Sequence, residues 1–507
     1  MTLIRRRPHA TCLQLLLVSV ALSSAGCKSS GSSDGTGGAA GGSNGSGGSN
    51  ATGGSTGTGG STTGSGGASS GTGGASGSAT FSVTITPSTA VGTVEIVTWS
   101  VNVSIDSAVI DFGRDQTNFE FQAPVDLTQA NYKTLLLGMK PNTSYYVRIT
   151  AQGGGKTYVS PVSMVKSGFL PNGLPVFTVT DSNASALYAG GGFTVNCIGL
   201  AGSAGLPGQT GKSVAFILDK DGTMVWALDI TSTAATNCSR ARMSYDGQYM
   251  FAGNFANSST SGAIFRIGMD GVGSGQTWTL PGRSHDFAIL PNGNVVYFKT
   301  DNSMANTTAG PEEVMELNTS TGASTTIYDE KTDFASLISS SSNPESHTNH
   351  VTYSPDLSAV TFSMFFSNTI GVASYPAGKL LMTIGGTQST FPNMTWTGQH
   401  GHDVHSDHVW IFNNAQSSAH ILGYTFSTSS KTASLTLDYN PGIACNTFGD
   451  VKELPNGNLY VTFSDTGVFH EITKTGTLLR QITTTTPIGY SEHRATLYGP
   501  PPPFATN

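Results

Sequence analysis

From about residue 173 onward, turns with glycine after Asp or Asn keep returning between short β-rich runs. This feature restricts the fold more than any other. The turns include Asp221-Gly222, Asp246-Gly247, Asp270-Gly271, Asn292-Gly293 and Asn456-Gly457. Glycine supplies the positive φ that such tight hairpins need. The runs that follow, such as Asn294-Val295-Val296-Tyr297-Phe298 and Asn458-Leu459-Tyr460-Val461-Thr462-Phe463, have strand composition. Helical periodicity is nearly absent, and residues 334–341 are the one candidate turn of helix. Many short strands at near-even spacing point to a sandwich or a propeller. A loose repeat of roughly 40 to 50 residues over 173–507 favours the propeller, with room for about six blades.

Residues 79–168 read differently. Three alternating runs start at Phe81, Val94 and Tyr145, and Trp99 is a candidate core aromatic. The turn Lys140-Pro141-Asn142-Thr143 leads into Tyr145-Tyr146-Val147-Arg148-Ile149-Thr150. This resembles the late strand of a fibronectin type III domain, where the tyrosine sits at a sandwich corner. The expected fold class is therefore all-β, a small fibronectin type III-like β-sandwich followed by a six-bladed β-propeller. The sandwich serves as a spacer or adhesion module, or packs beside the propeller.

The first residues carry an address. Arg5, Arg6 and Arg7 precede a short apolar run over 13–22, which is too short to span a bilayer as a mature helix. The run ends at Ser24-Ala25-Gly26-Cys27, which resembles a bacterial lipobox. It implies a signal peptide over 1–26 and a lipid on Cys27. The alternative is an ordinary secretory signal cleaved near Ala25. Residues 27–78 are almost wholly Gly, Ser, Thr, Ala and Asn, a composition that cannot bury apolar surface and reads as a flexible tether. Lys28 stands where an inner-membrane retention aspartate would, so the expected location is the outer membrane. Past Cys12 and Cys27, only Cys197, Cys238 and Cys445 remain, which allows one intramolecular disulfide at most. The net charge is −7 and no basic run follows the signal, so nucleic acid is not an expected partner.

Three histidine motifs follow one another in the propeller region. His285-Asp286 precedes Leu290-Pro291-Asn292-Gly293-Asn294. His347-Thr348-Asn349 leads to Ser367-Asn368-Thr369-Ile370. Gln399-His400 lies between Gly385-Gly386 and Ile411-Phe412-Asn413-Asn414. Phe448-Gly449-Asp450 and His493-Arg494-Ala495 close the set. The ordered succession resembles the bacterial aryl sulfotransferase family over nearly all of 173–500. A neutral imidazole nitrogen can attack sulfur and later leave, and nearby donors can hold the oxygens of the transferred group.

The resemblance implies that His400 is the nucleophile that becomes sulfated and that His285 and His347 bind the sulfuryl oxygens. Asn349 enters as a substrate-binding candidate. The partners implied are an aryl sulfate ester donor and a phenolic acceptor, with no cofactor. The arginine of the family on the strand after His-x-Asn is missing here; Phe365 stands in its place. Arg283 and Arg494 are the possible stand-ins. The departure keeps a second expectation open, that of a catalytically inactive binding module on the cell envelope. His350 competes with His347 for the buried position. The run His400, His402, His405 and His408, with Asp403 and Asp407, also suits a transition metal. Its last two histidines fall at a turn, and no metal is assigned.

Overall fold

The computed structural model describes residues 78–189, 192–199, 212–234, 237–254, 262–300, 312–340, 346–414 and 417–501. Cys27 and the tether lie outside the described residues.

Two sheets form the sandwich. One pairs Phe81–Pro87, Glu95–Val101 and Thr134–Leu136. The other runs Phe121–Pro124, Ser107–Gly113, Ser144–Gly153 and Lys156–Val159, with Ser163–Lys166 also on Ser144–Gly153. Alternation along each strand turns Val97, Trp99, Ile110, Phe112, Val147 and Ile149 inward. Tyr145 is buried, and its hydroxyl accepts a hydrogen bond from the Lys140 amide at 2.8 Å. That is the corner contact the sequence predicts.

Among the described residues, six antiparallel sheets follow in chain order, each with neighbouring strands hydrogen-bonded in sequence. We number these blades 1 to 6. The inner strands of blades 2 to 6 are Cys238–Met243, Arg283–Ile289, Thr348–Ser354, Gln399–Val404 and Asp450–Glu453. Both ends of the domain close the ring. Thr178–Asp181 is the outermost, fifth strand of blade 6, and Glu492–Arg494 is the innermost strand of blade 1. The predicted helical turn is the helix Lys331–Ser340 between blades 3 and 4. Apolar clusters fill the gaps between neighbouring blades. One example is Val360 and Phe362 of blade 4, packed with Val296, Phe298 and Val314 of blade 3.

Cys197 and Cys238 form a disulfide that ties blade 1 to blade 2, and Cys445 is free and buried. The sandwich is not detached from the ring. Its Val91, Val94 and Leu137 share one apolar cluster with Trp226, Met269 and Leu497 of the propeller. Thr93 Oγ1 donates to the Val225 carbonyl at 2.7 Å, and Tyr498 Oη bridges Leu137 N and Leu135 O.

Candidate functional site

The inner strands of blades 3, 4 and 5 carry register shifts near their starts, and His285, His347 and His400 at these starts come together. Register shifts fall between Ser284 and Phe287, between Thr348 and His350, and between Gln399 and His402. His285, His347 and Phe448 hold φ values of 31°, 48° and 57°, a region that bulky residues occupy only when their surroundings impose it. Such outliers gather at functional sites. Here they turn the side chains at the strand starts toward one another.

The upper layer contains the three predicted histidines. The His285 and His347 rings meet edge-on with centroids 4.6 Å apart. Phe365 lies between the other pair, 5.3 Å from His347 and 5.5 Å from His400. Phe366, Phe448 and Tyr490 complete an aromatic collar. His347 is half-buried and Phe366 is exposed, so the layer meets solvent on one side. Gly398, just before the Gln-His pair, has φ +72°, and a Cβ there would press on the Phe365 ring at 3.3 Å.

His400 is fixed by amides. Asn414 Nδ2 donates to the Cys445 and Phe448 carbonyls, which forces its Oδ1 to face His400 Nδ1 at 2.7 Å. Oδ1 can only accept, so Nδ1 carries the proton and Nε2 keeps its lone pair. Burial drives the His400 pKa down to about 3, against a smaller upward pull from the Asn414 hydrogen bond. His285 is also held neutral, first by burial and then by His347 and His400. Gln399 anchors this strand start from behind. Its Nε2 donates to Ser363 Oγ and Met364 O, and its Oε1 accepts from Trp396 Nε1.

A second layer lies beneath, and the sequence motifs do not mark its central residue. Arg240, fully buried, grips Asp286 with two parallel hydrogen bonds of 2.9 and 3.0 Å. Its Nη1 reaches Asp450 Oδ2 at 2.8 Å and Ser491 O at 2.7 Å. His350 Nε2 lies 3.4 Å from Asp450, and its Nδ1 lies 3.2 Å from His402 Nδ1. Burial alone would raise the carboxyls, but Arg240 and His350 together hold Asp286 and Asp450 below the ordinary carboxylate range. The competition between His347 and His350 resolves by layer. Both face the axis, His347 above and His350 below.

The remaining candidates divide. Asn349 is buried and donates from Nδ2 to the Gln399 carbonyl at 2.8 Å, so it braces the strand that carries His400. Neither stand-in arginine joins the layer of histidines. Arg283 lies against Gly253 and Gly262, two positions with no Cβ to exclude it, and its Nη1 donates to the Asn254 carbonyl. Arg494 is buried at the far end of the inner strands, where Nη1 meets the Met243 carbonyl and Nε that of Thr496. The guanidinium that meets Asp286 and Asp450 belongs to Arg240, and its partners are this protein's own carboxylates. The histidine run separates as well. His400 and His402 enter the two axial layers, while His405 and His408 lie at the hairpin beyond them.

No protein-family model matches the chain, and no curated protein does. Among solved structures, similarity extends to the periplasmic gluconolactonase of Pseudomonas aeruginosa, at 11% identity and TM-score 0.38 over 77% of this chain and 99% of that one. It extends also to the β-propeller domain of the Trilobed protease from Pyrococcus furiosus, at 11% identity and TM-score 0.33 over 84% and 98%. A virginiamycin B lyase from Staphylococcus aureus matches at 14% identity and TM-score 0.35 over 61% and 99%. These likenesses concern the propeller fold, and none of the three is described as a sulfotransferase.

Proposed function

We propose that this protein moves a sulfuryl group from an aryl sulfate ester to a phenolic acceptor, with His400 as the relay. The observation that carries the reading is the tautomer imposed by Asn414, which leaves Nε2 of a buried, neutral imidazole with its lone pair. In the first step Nε2 bonds to sulfur, the sulfur–oxygen ester bond breaks, and the donor phenolate leaves with the electron pair. In the second, the acceptor oxygen attacks sulfur and the pair returns to Nε2. The proton lost by the acceptor phenol balances the one gained by the donor phenolate. His285 and His347, each with one ring N–H when neutral, face the same space and suit the sulfuryl oxygens. The collar of Phe365, Phe366, Phe448 and Tyr490 suits the aryl ring. The lipobox-like start supports a location at the cell envelope, with Cys27 as the anchor. Among the described residues, no helix is long and apolar enough to cross a membrane.

One observation favours a second reading, an inactive binding module. Phe365 occupies the ground between His347 and His400, where the family's arginine would meet the transferred group. Loss of one such donor costs on the order of a hundredfold in rate.

A chromogenic aryl sulfate with a phenol acceptor separates the two. Turnover with ping-pong kinetics, a sulfuryl adduct on the peptide containing His400, and loss of both in His400→Ala are expected. Equal activity in His400→Ala would refute the relay. No turnover across a broad donor panel, by the wild type or by Phe365→Arg, would leave the binding module.

A further inference from the structure

Beyond the axial site, we propose that the hairpin at the far end of the His400 strand holds a divalent metal ion, with His405, His408 and Glu453 as ligands and Zn²⁺ as the best-fitting ion. Three blades contribute to this cluster. His405, Asp407 and His408 come from the first hairpin of blade 5, Asp356 from that of blade 4, and Lys452 and Glu453 from blade 6. At about 3.3 Å per residue the cluster lies roughly 16 Å along the strand from His400.

The cluster brings two imidazoles and a carboxylate close together, with a further carboxylate behind each ring. Each imidazole gives its Nδ1 to a carboxylate, His405 to Asp356 Oδ2 at 3.0 Å and His408 to Asp407 Oδ1 at 2.6 Å. Carboxylates behind Nδ1 orient metal-binding histidines and leave Nε2 for the ion. His408 Nε2 lies 2.8 Å from Glu453 Oε2. His405 Nε2 lies 3.3 Å from Asp403 Oδ2 but makes no aligned hydrogen bond. Ligand atoms of His405, His408 and Glu453 all fall within 4.8 Å of one another.

The outer oxygens of both carboxylates are already engaged. Lys474 Nζ holds Glu453 Oε1 at 2.7 Å, and Lys452 Nζ holds Asp403 Oδ1 at 2.6 Å. The other oxygen of each lies beside the rings and also accepts from a fixed donor, Trp410 Nε1 at 2.7 Å for Glu453 Oε2 and the Glu453 amide at 2.9 Å for Asp403 Oδ2. The rings stack at 4.3 Å and 8°, so binding requires them to rotate toward a common point. Tetrahedral zinc, with bonds of about 2.0–2.1 Å, places its donors a little over 3 Å apart. Side chains that are 19% exposed can make that rotation.

Charge supports a divalent ion. The ion pairs here join four carboxylates, Asp356, Asp403, Asp407 and Glu453, to two lysines, Lys452 and Lys474. With both imidazoles in the neutral form that ligation requires, two negative charges remain, which one M²⁺ neutralises. Two nitrogens and one or two carboxylate oxygens are ordinary zinc donors. With ligands from blades 5 and 6 and a supporting carboxylate from blade 4, the ion would fasten three blades together at the end away from the aromatic collar.

The test uses the mature protein treated with EDTA and then titrated with Co²⁺ or Zn²⁺ alone. One equivalent of Co²⁺ should bind with the visible absorption of a tetrahedral site, and Zn²⁺ should displace it and raise the melting temperature. His405→Ala and Glu453→Gln should each weaken Co²⁺ binding at least tenfold and remove the Zn²⁺-dependent rise. His420→Ala, at a surface histidine paired with Asp438, controls for general loss of imidazole and should change neither. No Co²⁺ bound by the wild type, or binding unchanged in both His405→Ala and Glu453→Gln, would overturn the proposal. If a variant fails to fold, the wild-type titration alone still decides it.

Discussion

His400 and His405 stand five positions apart on one hairpin, and the protein treats them in opposite ways. His400 is buried, partnered by an amide oxygen and edged by aromatic rings. His405 is partly exposed and has carboxylates on both sides. Burial opposes charge on both rings. At His400 nothing outweighs it, and the pKa falls to about 3. At His405 the carboxylates of Asp403 and Asp356 together outweigh it, and the pKa rises to about 9. The difference shows that the partner, not the residue type, decides what a histidine can do. An amide leaves the ring neutral with one nitrogen lone pair, whereas carboxylates favour positive charge at the ring.

The largest effect that would sharpen this comparison, short of removing His400 itself, comes from the other two members of the upper layer. If His285 and His347 hold the sulfuryl oxygens, each alanine variant should lower the transfer rate roughly ten- to a thousandfold. Their melting temperatures should stay near that of the wild type, since neither ring is needed to fill the apolar clusters. Full activity in both variants would remove them from the site.

A more direct break gives His400 a partner of His405's kind. Asn414→Asp keeps an acceptor facing Nδ1 but adds negative charge, which raises the imidazole pKa. A raised pKa means that the nucleophile is lost as pH falls. The variant should therefore lose rate on the acid side, by about tenfold per pH unit below its new pKa, and recover at higher pH. A uniform loss at every pH would instead mean that Asn414 serves only the loops carrying Cys445 and Phe448.

The smallest effect is expected of the wild type. With the His400 pKa depressed to about 3, its neutral form already prevails throughout pH 5 to 8. The transfer rate measured over that range should show no decline toward acid from this group. An acid limb centred near the ordinary histidine value would contradict the buried, neutral state.

Much of this arrangement was legible in the chain because it depends on local signals. Glycine turns marked the hairpins, and the three histidines of the upper layer each open an inner strand. Tyr145, after its Pro-Asn turn, marked the sandwich corner. Arg240 was invisible, since Cys238-Ser239-Arg240 carries no motif and its partners lie 46 and 210 positions away. Arg283 and Arg494 were misread for a related reason. A place inside a motif does not reveal that two glycines make room for a guanidinium elsewhere, or that a strand leads to the other end of the axis. His347 and His350 could not be ranked by alternation, because the register shift between Thr348 and His350 breaks the two-residue period. Asn414 stood within a quoted motif, but its role depends on the two carbonyls that orient it.

The ring is fastened by its last strand, and this has a consequence for timing. Tyr490, whose ring touches His400, His350 and Arg240, belongs to the stretch just before Glu492–Arg494, which enters blade 1 only after every other blade has been made. The centre of the molecule therefore cannot be finished until the final few residues of the domain are available. A chain interrupted before Tyr490 would hold nearly all of its hairpins and still lack the floor beneath His400. Closure of the ring and completion of the axial layers become a single event.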